Sequence, residues 1–305
     1  NLLFLSGDVA GRKQERRIFR KEGSDSMAEK FTYITLDEEP ETVVSTKEDI
    51  CAQLESLGIQ RGMVILVQAD MKKLGYLIGG EQMLIEALME TVGYEGTIVM
   101  PTFTPQMADP ACQKKHIARM YWEDVRQHAL PFDKKLSAPE KADALIYQFL
   151  RNEGVVRSYH PLYSFAAWGK YAKILCDKHP LHFGLNQDSP LGKVSEFNGY
   201  VVLLGCDYNN CVMFQLARYH GEQLPIKLIS APIENNSRVQ WKDMLELDFT
   251  KQDMGEIGEI MEDKSVVRTT YIGTAKCRFF SSREAVTLAS SYFYIHNDEI
   301  SKLEN

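Results

Sequence analysis

The sequence predicts an α/β fold in which a mixed sheet with crossover helices is joined to a smaller α+β lobe. Two observations lead to this prediction. Up to about residue 220, helical patterns alternate with short apolar strands, which is the order expected of a sheet with crossover connections. From about residue 225, strand-like runs dominate and a single polar helix separates them.

The first elements alternate between helix and strand. Ser45 with Glu48 three residues later predicts a helix N-terminus with a capping box, and the apolar residues of 50–57 fall on one helical face. Compact apolar runs then predict buried strands on either side of a glycine-rich loop and a second helix. These elements are predicted at 63–67 (strand), 81–92 (helix) and 97–100 (strand).

Residues 101–136 carry four prolines and little periodicity, and irregular segments of this length are often functional. Regular elements resume after this segment, and a second capping box at Ser281 and Glu284 opens the last helix. The predicted elements are a helix at 139–152, strands at 164–168 and 200–204, a helix at 211–219, strands at 226–230, 238–248 and 267–280, and helices at 251–263 and 281–294.

The N-terminal residues 1–26 differ from the rest of the chain. A short apolar run is followed by a basic patch without periodicity, whereas a signal peptide would place its basic residues first. We therefore predict a disordered leader or tail at 1–26, with Met27 as the natural start. Residues 27–305 are predicted to form a single domain whose smaller C-terminal lobe begins at about 225.

Composition and charge limit the class of partner. The chain has 305 residues and a net charge of −7, which argues against a nucleic-acid binder. An acidic surface would help attract a polycationic substrate, although many soluble proteins are mildly acidic. Because no apolar run reaches the ~18 residues of a membrane span, we expect a cytoplasmic protein without a membrane partner.

The cysteines and the absent motifs exclude further classes. The six cysteines show neither metal nor redox spacing, so we expect reduced thiols and no metal. The sequence lacks a nucleophile elbow, a P-loop and a GxGxxG fingerprint. The glycines at 75, 79 and 80 either let the backbone approach a phosphate or simply form a tight connection.

The most specific feature is the stretch from Arg157 to Gly169 (RSYHPLYSFAAWG), followed by Ser189-Pro-Leu-Gly192. Weaker blocks occur in the glycine-rich loop, at 96–101 and at 277–280. As a set, these blocks resemble the aminoglycoside 3-N-acetyltransferase (antibiotic N-acetyltransferase) family, and closely its Bacillus-type branch. The likeness covers about residues 40–295.

The resemblance implies the two-lobed α/β fold of that family, with acetyl-CoA as co-substrate and a small-molecule amine meeting in a cleft. The acyl-CoA contacts that it implies are Leu74, Gly75, Tyr76, Gly79, Gly80, Ser137 and Ser189. The substrate contacts that it implies are Asp109, Trp122, Glu123, Gln68 and Arg218.

Positions facing the chemistry depart from the family pattern. The family's general base is a histidine followed by Leu-Ala-Glu, but Gln215 and Arg218 stand at the histidine and glutamate positions here. A glutamine amide cannot act as a base near neutral pH, and Arg218 would repel a cationic substrate. The His-Ser-Ser that ends the family's first strand reads Gln68-Ala69-Asp70. The sequence thus keeps the scaffold and changes the catalytic positions.

Three residues are candidates for a relocated base. His160 lies in the best-matched block and is either a base or a structural histidine at a strand junction. Asp207 follows the strand at 200–204, and ligands gather at the carboxyl ends of strands in open α/β sheets. Asp70 ends the first strand and is a carboxylate that the family pattern lacks.

Other candidates also have two interpretations. Trp122 and Glu123 could form an aromatic and acidic wall for a cation, or they could begin a helix. Ser189 could contact the pantetheine arm or cap a helix. His179 and His182 lack a third metal ligand at recognisable spacing and are predicted to lie at the surface.

Two functions follow from these observations. The first is an acyl-CoA-dependent N-acyltransferase acting on an aminoglycoside-like or other small amine. The second is a catalytically inactive relative that binds a small molecule or a partner. The sequence favours the enzyme and carries no feature that specifies an oligomeric state.

Overall fold

The computed structural model describes residues 43–113, 117–139, 144–221, 223–249 and 253–303, with side chains as far as residue 296. These residues fall within one compact unit, Glu41–Asn305. The leader or tail predicted at 1–26 lies outside the described residues.

A seven-stranded mixed sheet forms the centre of the described chain. In chain order, the strands are β1 (Val44–Ser45), β2 (Val64–Ala69), β3 (Tyr76–Leu77), β4 (Thr97–Pro101), β5 (Val156–Arg157), β6 (Phe165–Gly169), β7 (Tyr200–Leu204), β8 (Ile226–Asn235), β9 (Arg238–Leu247), β10 (Arg268–Ile272) and β11 (Ala275–Ser281). The order within the sheet is β10-β11-β7-β2-β4-β6-β5. Strands β7, β2 and β4 are parallel, and the remaining neighbours pair antiparallel.

Helices cover both faces of this sheet, because its central strands alternate apolar side chains between two cores. In β2, Ile65 and Val67 face one core, and Val64 and Leu66 face the other. The helices are α1 (Lys47–Leu57), α2 (Gly80–Val92), α3 (Trp122–His128), α4 (Ala144–Arg151), α5 (Ala172–Asp177), α6 (Pro190–Glu196), α7 (Met213–Gly221), α8 (Gly255–Asp263) and α9 (Ser282–Leu303).

The two cores recruit different helices. Helices α1, α2 and α4 contribute Leu54, Leu88 and Phe149 to one core, and α5 to α9 pack into the other. The described chain is therefore a three-layer α/β/α arrangement, which confirms the predicted mixed sheet with crossover helices.

The first helix begins one residue later than the sequence predicted. Thr46 is its N-cap: Thr46 Oγ1 accepts from Asp49 N at 3.2 Å, and Thr46 N donates to the Asp49 carboxylate at 2.9 Å. The capping box predicted at Ser45 and Glu48 is wrong, because Ser45 belongs to β1, where it is buried and pairs with Leu77.

The chain after residue 225 contributes to two parts of the fold, a hairpin and the large sheet. Strands β8 and β9 form a separate hairpin, which buries Ile229, Ala231 and Met244 against Ala108 and Leu162. Strands β10 and β11 instead extend the large sheet, with β11 hydrogen-bonded to β7. The hairpin thus packs against the irregular segment that follows β4.

Candidate functional site

The carboxyl ends of the three parallel strands meet at one edge of the sheet. Asp70 follows β2, Thr102 follows β4, and Cys206 and Asp207 follow β7 by a few residues. The Asp70 N–H donates to Leu204 O at 2.9 Å and joins two of these strand ends. Ligands bind at this edge in open α/β sheets, and two cavities open here that share Cys206.

The larger of the two, which we name the basic cavity, has a volume of about 560 Å³. Four cationic side chains line it, from Lys72, Lys73, Lys276 and Arg278, together with the carboxylate of Asp207. Its remaining lining comes from Val43, Gly75, Gly205, Cys206, Thr274 and Ala275. Clustered cations beside glycine backbone favour an anion, and phosphate in particular.

Neighbouring groups hold these cations in place. Lys73 Nζ lies 3.2 Å from Gly205 O and 3.4 Å from Asp70 Oδ2. Lys276 Nζ and Arg278 Nε both contact Glu262 Oε1, at 3.1 and 3.2 Å. Because such exposed pairs contribute only about 0–1 kcal/mol to stability, their main effect is to position the cations around the cavity.

The smaller cavity, which we name the apolar pocket, has a volume of about 170 Å³. It is lined by Val67, Gln68, Ala69, Met100, Pro101, Leu145, Ile146, Cys206 and Asn210. The Gln68 amide already has protein partners, since Nε2 donates to Asn210 O and Oε1 accepts from Val212 N at 2.8 Å. Gln68 therefore fixes the chain just before α7 and is not a free substrate contact.

The two predicted carboxylates both lie at this edge. Asp207 Oδ1 accepts from Asn209 N and Asn210 Nδ2, each at 3.0 Å. Asp70 caps a short turn, with Oδ1 accepting from Lys72 N at 3.3 Å and Oδ2 facing Lys73. Both of these hydrogen bonds of Asp207 go to Oδ1, whereas Asp70 has a contact on each oxygen. Asp207 Oδ2 is therefore better placed than either oxygen of Asp70 to accept a proton from a ligand.

Gln215 and Arg218 face each other on α7. Arg218 Nη1 lies 3.5 Å from Gln215 Oε1, and the guanidinium packs over the rings of Phe249 at 5.1 Å and Phe293 at 5.9 Å. Arg218 is only 1% exposed. The prediction that Arg218 contacts and repels the substrate is therefore wrong, because its charge is enclosed in the core behind the half-buried Gln215.

His160 is a structural residue, and its prediction as a base is wrong. The side chain is fully buried, and Nδ1 accepts from the amides of Leu162 and Tyr163 at 3.1 and 3.0 Å. Its proton must then sit on Nε2, which faces Leu181 O at 3.3 Å. Burial holds the pKa of His160 well below its ordinary value, so the ring stays neutral. Because the side chain is fully buried, it also cannot contact a ligand.

His179 was predicted at the surface, but it packs against His160 with ring centroids 4.7 Å apart. Ser158 Oγ lies 2.9 Å from His179 Nδ1, and His179 Nε2 donates to Gly184 O at 2.7 Å. Burial lowers the pKa of His179 to about 4. Ser158 also accepts from Phe165 N at 2.9 Å, so these bonds tie β5 and β6 to the loop before α6.

The same network continues to a buried carboxylate in the hairpin. Gly184 N donates to Glu246 Oε2 at 2.9 Å, and the Tyr219 hydroxyl donates to Glu246 Oε1. Burial raises the pKa of Glu246. No local sequence pattern predicts this connection, because its members come from four distant segments.

Arg157 anchors the irregular segment to the sheet. Its Nη1 donates to Ser137 O at 2.6 Å, its Nη2 donates to Thr102 O at 2.8 Å, and its guanidinium lies 5.0 Å from the Phe132 ring centroid. Ser137 Oγ accepts from Asp133 N at 2.9 Å. Ser137, predicted as an acyl-CoA contact, is thus part of this anchored turn.

The glycine-rich loop only partly follows the prediction. Gly75 lines the basic cavity with a φ of +79°, and Gly79 and Gly80, with φ of +97° and +61°, open α2. Tyr76 is exposed in β3, whereas Leu74 is fully buried in the core. The Leu74 side chain is therefore not an acyl-CoA contact.

Ser189 is a helix cap, as the second interpretation of the sequence held. Its Oγ accepts from Leu191 N at 3.2 Å and Gly192 N at 3.4 Å, and it donates to Asn186 O at 2.6 Å. The side chain is fully buried, which excludes direct contact with a pantetheine arm and makes that prediction wrong.

The chain's own arginines contact two of the predicted substrate residues, Asp109 and Trp122. Arg126 forms two bonds with the Asp109 carboxylate, at 2.7 and 3.0 Å, and lowers the pKa of Asp109. The guanidinium carbons of Arg119 and Arg126 each lie 5.8 Å from the Trp122 ring centroid. Trp122 begins α3, and Glu123 on the same helix is exposed. Asp109 and Trp122 are thus not free for a cationic ligand.

Among the described residues, no group of three histidine, cysteine, aspartate or glutamate side chains is placed to hold a metal ion. All six cysteines lie outside disulfide bonds, and four of them are buried. Within the same part of the chain, every helix is too short or too polar to cross a bilayer.

Comparison with known proteins relates this architecture to one family. The family model described as aminoglycoside 3-N-acetyltransferase matches residues 66–294. The SPbeta prophage-derived aminoglycoside N(3')-acetyltransferase-like protein YokD of Bacillus subtilis strain 168 is 35% identical over 262 residues, covering 85% of this chain and 96% of YokD. Aminoglycoside N(3)-acetyltransferase VIII of Streptomyces fradiae is 28% identical over 217 residues, covering 68% of this chain and 72% of that protein.

Solved structures show the same fold. The crystal structure of YokD matches with a TM-score of 0.82 at 33% identity, covering 84% of this chain and 96% of that chain. AAC-IIIb in binary complex with CoASH matches with a TM-score of 0.74 at 24% identity, covering 83% and 98%. These findings confirm the resemblance that the sequence blocks predicted, including its Bacillus-type branch.

Proposed function

Because the chain belongs to the aminoglycoside 3-N-acetyltransferase family, we propose that it transfers an acetyl group from acetyl-CoA to an amine of an aminoglycoside-like molecule. The observation that supports this most is the basic cavity. Coenzyme A is a polyanion with a diphosphate and a further phosphate, and the four cations lining the cavity complement it. Such a reaction belongs in the cytoplasm, where acyl-CoA is available.

The reaction needs an acceptor for one proton. The amine nitrogen attacks the thioester carbonyl carbon, the carbon–nitrogen bond forms, the carbon–sulfur bond breaks, and CoA leaves as a thiolate that receives the amine proton through the base. The nitrogen must lose a proton during this exchange, and a positioned base typically contributes about 10²- to 10⁴-fold to the rate. We assign this role to Asp207, which lines the basic cavity and binds the protein through Oδ1.

The proposal is tested with purified protein, acetyl-CoA and a panel of aminoglycosides, by following free thiol and the mass of the acetylated product. Asp207→Asn keeps the shape and the accepting Oδ1 but removes the charge, so kcat/KM should fall about 10²- to 10⁴-fold while CoA affinity does not weaken. Asp188→Asn is the matched control, because Asp188 is exposed and lines neither cavity of the edge. Equal activity in both variants would remove Asp207 from the mechanism.

The positions of the histidines favour a second function, in which the protein binds ligands without catalysing transfer. Six of the seven lie in the described part of the chain, and none of these lines the basic cavity or the apolar pocket. Gln215 stands where the family's base is expected. If none of the described histidines serves the site, the chain would retain CoA binding and lose transfer.

The two functions are separated by restoring the family residues in Gln215→His and in the double variant with Arg218→Glu. Transfer that appears only in a restored variant identifies the natural chain as inactive. Transfer by the natural chain excludes this second function. Since Arg218→Glu places a carboxylate between two aromatic rings, each variant is first checked for folding by thermal unfolding.

A further inference from the structure

The apolar pocket adjoins the basic cavity at the carboxyl edge of the sheet, and Cys206 lines both. We propose that this pocket holds the acyl chain of the donor and selects acyl-CoA thioesters of up to about four carbons, rather than acetyl-CoA alone. This inference rests on the proposed function and specifies the donor that the same site accepts.

The lining of the pocket fits a hydrocarbon chain. Its deepest residues are Val67, Met100 and Leu145, which are each at least 98% buried, and Ile146 lies nearer the surface. In a pocket with such apolar walls, each methylene group that a ligand buries raises its affinity about fourfold.

The polar lining does not favour the amine substrate. The Gln68 amide is held between Asn210 O and Val212 N, and the Asn210 side chain donates to Asp207. Among the described residues, those that line the pocket include neither a carboxylate nor a cation. A polycationic, polyhydroxylated acceptor would lose hydration here without charge compensation, so the acceptor must bind elsewhere.

The volume sets the length of chain that fits. At the ~30 Å³ that one water occupies in the liquid, about 170 Å³ holds about five to six heavy atoms. A butyryl group has four carbons and one carbonyl oxygen and would fill this space. An acetyl group would leave two methylene equivalents of apolar surface uncovered.

The position of the pocket suits the transfer step. With the phosphates in the basic cavity, the thioester would lie near Cys206, where the two cavities join. The acceptor nitrogen attacks the carbonyl carbon, the carbon–sulfur bond breaks, and CoA leaves as a thiolate. The amine proton passes to the base, which then delivers it to the sulfur to give the free thiol. Only the length of the transferred chain differs from acetyl transfer.

Calorimetry with CoA, acetyl-CoA, butyryl-CoA and octanoyl-CoA tests the inference on the full chain. Butyryl-CoA should bind up to about 15-fold more tightly than acetyl-CoA, for two further buried methylenes, and octanoyl-CoA should gain nothing beyond butyryl-CoA. Equal affinities for acetyl-CoA and butyryl-CoA, with acetyl transfer intact, would overturn the acyl pocket and leave the proposed function standing. If CoA itself fails to bind, the acyl pocket and the proposed function are both refuted.

Variants locate the effect in the pocket. Ala69→Leu narrows its rim and should reduce the ratio of acetyl-CoA to butyryl-CoA dissociation constants to about one. Ala118→Leu makes the same change at an exposed position outside both cavities and should keep the wild-type ratio. Should Ala69→Leu fold poorly, Ile146→Ala enlarges the pocket instead and should shift the tightest binding to hexanoyl-CoA. An unchanged chain-length preference in these pocket variants would refute the assignment.

Discussion

Replacing Arg157 by methionine should destabilise the irregular segment that lies over the carboxyl edge of the sheet. Arg157 is almost fully buried, and its two shortest bonds run to Ser137 O at 2.6 Å and Thr102 O at 2.8 Å. Burial lowers the pKa of Arg157 to about 10, which still leaves the group charged at neutral pH. The substitution keeps an unbranched side chain of similar length and removes the five donors.

The size of the loss in unfolding free energy depends on which hydrogen-bond donors the two carbonyl oxygens keep in the variant. Thr102 O keeps a second donor, the Ser164 hydroxyl at 2.8 Å, whereas Ser137 O loses its closest one. A hydrogen bond from a charged donor contributes about 1.5–3 kcal/mol, and relief from burying the cation offsets part of that loss. We therefore expect the free energy of unfolding to fall by about 3 kcal/mol.

Urea unfolding at neutral pH measures the loss, and hydrogen exchange locates it. The Ser137 amide, which donates to Asp133 O at 3.0 Å, should exchange faster in the variant. Arg283→Met is the matched control, because Arg283 also donates to two carbonyl oxygens, at 3.0 and 3.2 Å, but from an exposed position. A loss below about 1 kcal/mol, or exchange at Ser137 that stays at the wild-type rate, would refute this role of Arg157.

Three further predictions concern residues that the structure assigns to stability. The pKa of His179 is lowered from 6.5 to about 4, so its neutral ring stabilises the fold fully above pH 6.5 and this stabilisation is lost as the pH falls. Between pH 7.5 and 5, the free energy of unfolding should therefore decrease by about 2 kcal/mol less in His179→Gln than in the wild type. Ser189→Ala removes a buried N-cap and should cost about 1–2 kcal/mol in urea unfolding, whereas a neutral result would contradict the cap. Gln68→Leu leaves Val212 N without its partner and should cost about 1–3 kcal/mol, with faster exchange of that amide as the direct readout.

Much of the fold was predictable, because local pattern and burial agree along the central strands. The apolar runs at 63–67, 97–100 and 200–204 became β2, β4 and β7, since parallel strands covered on both faces have nearly continuous apolar sequences. The start of α1 was missed by one residue. Both Ser45 and Thr46 could cap a helix, and pairing between β1 and β3 decides which one does.

The site was less predictable, because its properties depend on contacts between distant segments. Asp70 and Asp207 were found by their positions after strands, a local signal. The roles of His160 and Arg218 depend on burial against residues that are remote in sequence, so their residue types alone suggested chemistry that their surroundings exclude. The cations of the basic cavity come from 72–73 and 276–278 and only meet once β11 pairs with β7.

A single assay tests the proposal that this chain uses acyl-CoA to modify an amine. Purified protein is mixed with acetyl-CoA and each member of an aminoglycoside panel, and thiol release is followed together with the mass of the product. We predict free thiol in equal amount to a product heavier by one acetyl group, with the rate reduced in Asp207→Asn. Absence of thiol release with every amine, together with absence of CoA binding by calorimetry, would contradict the claim.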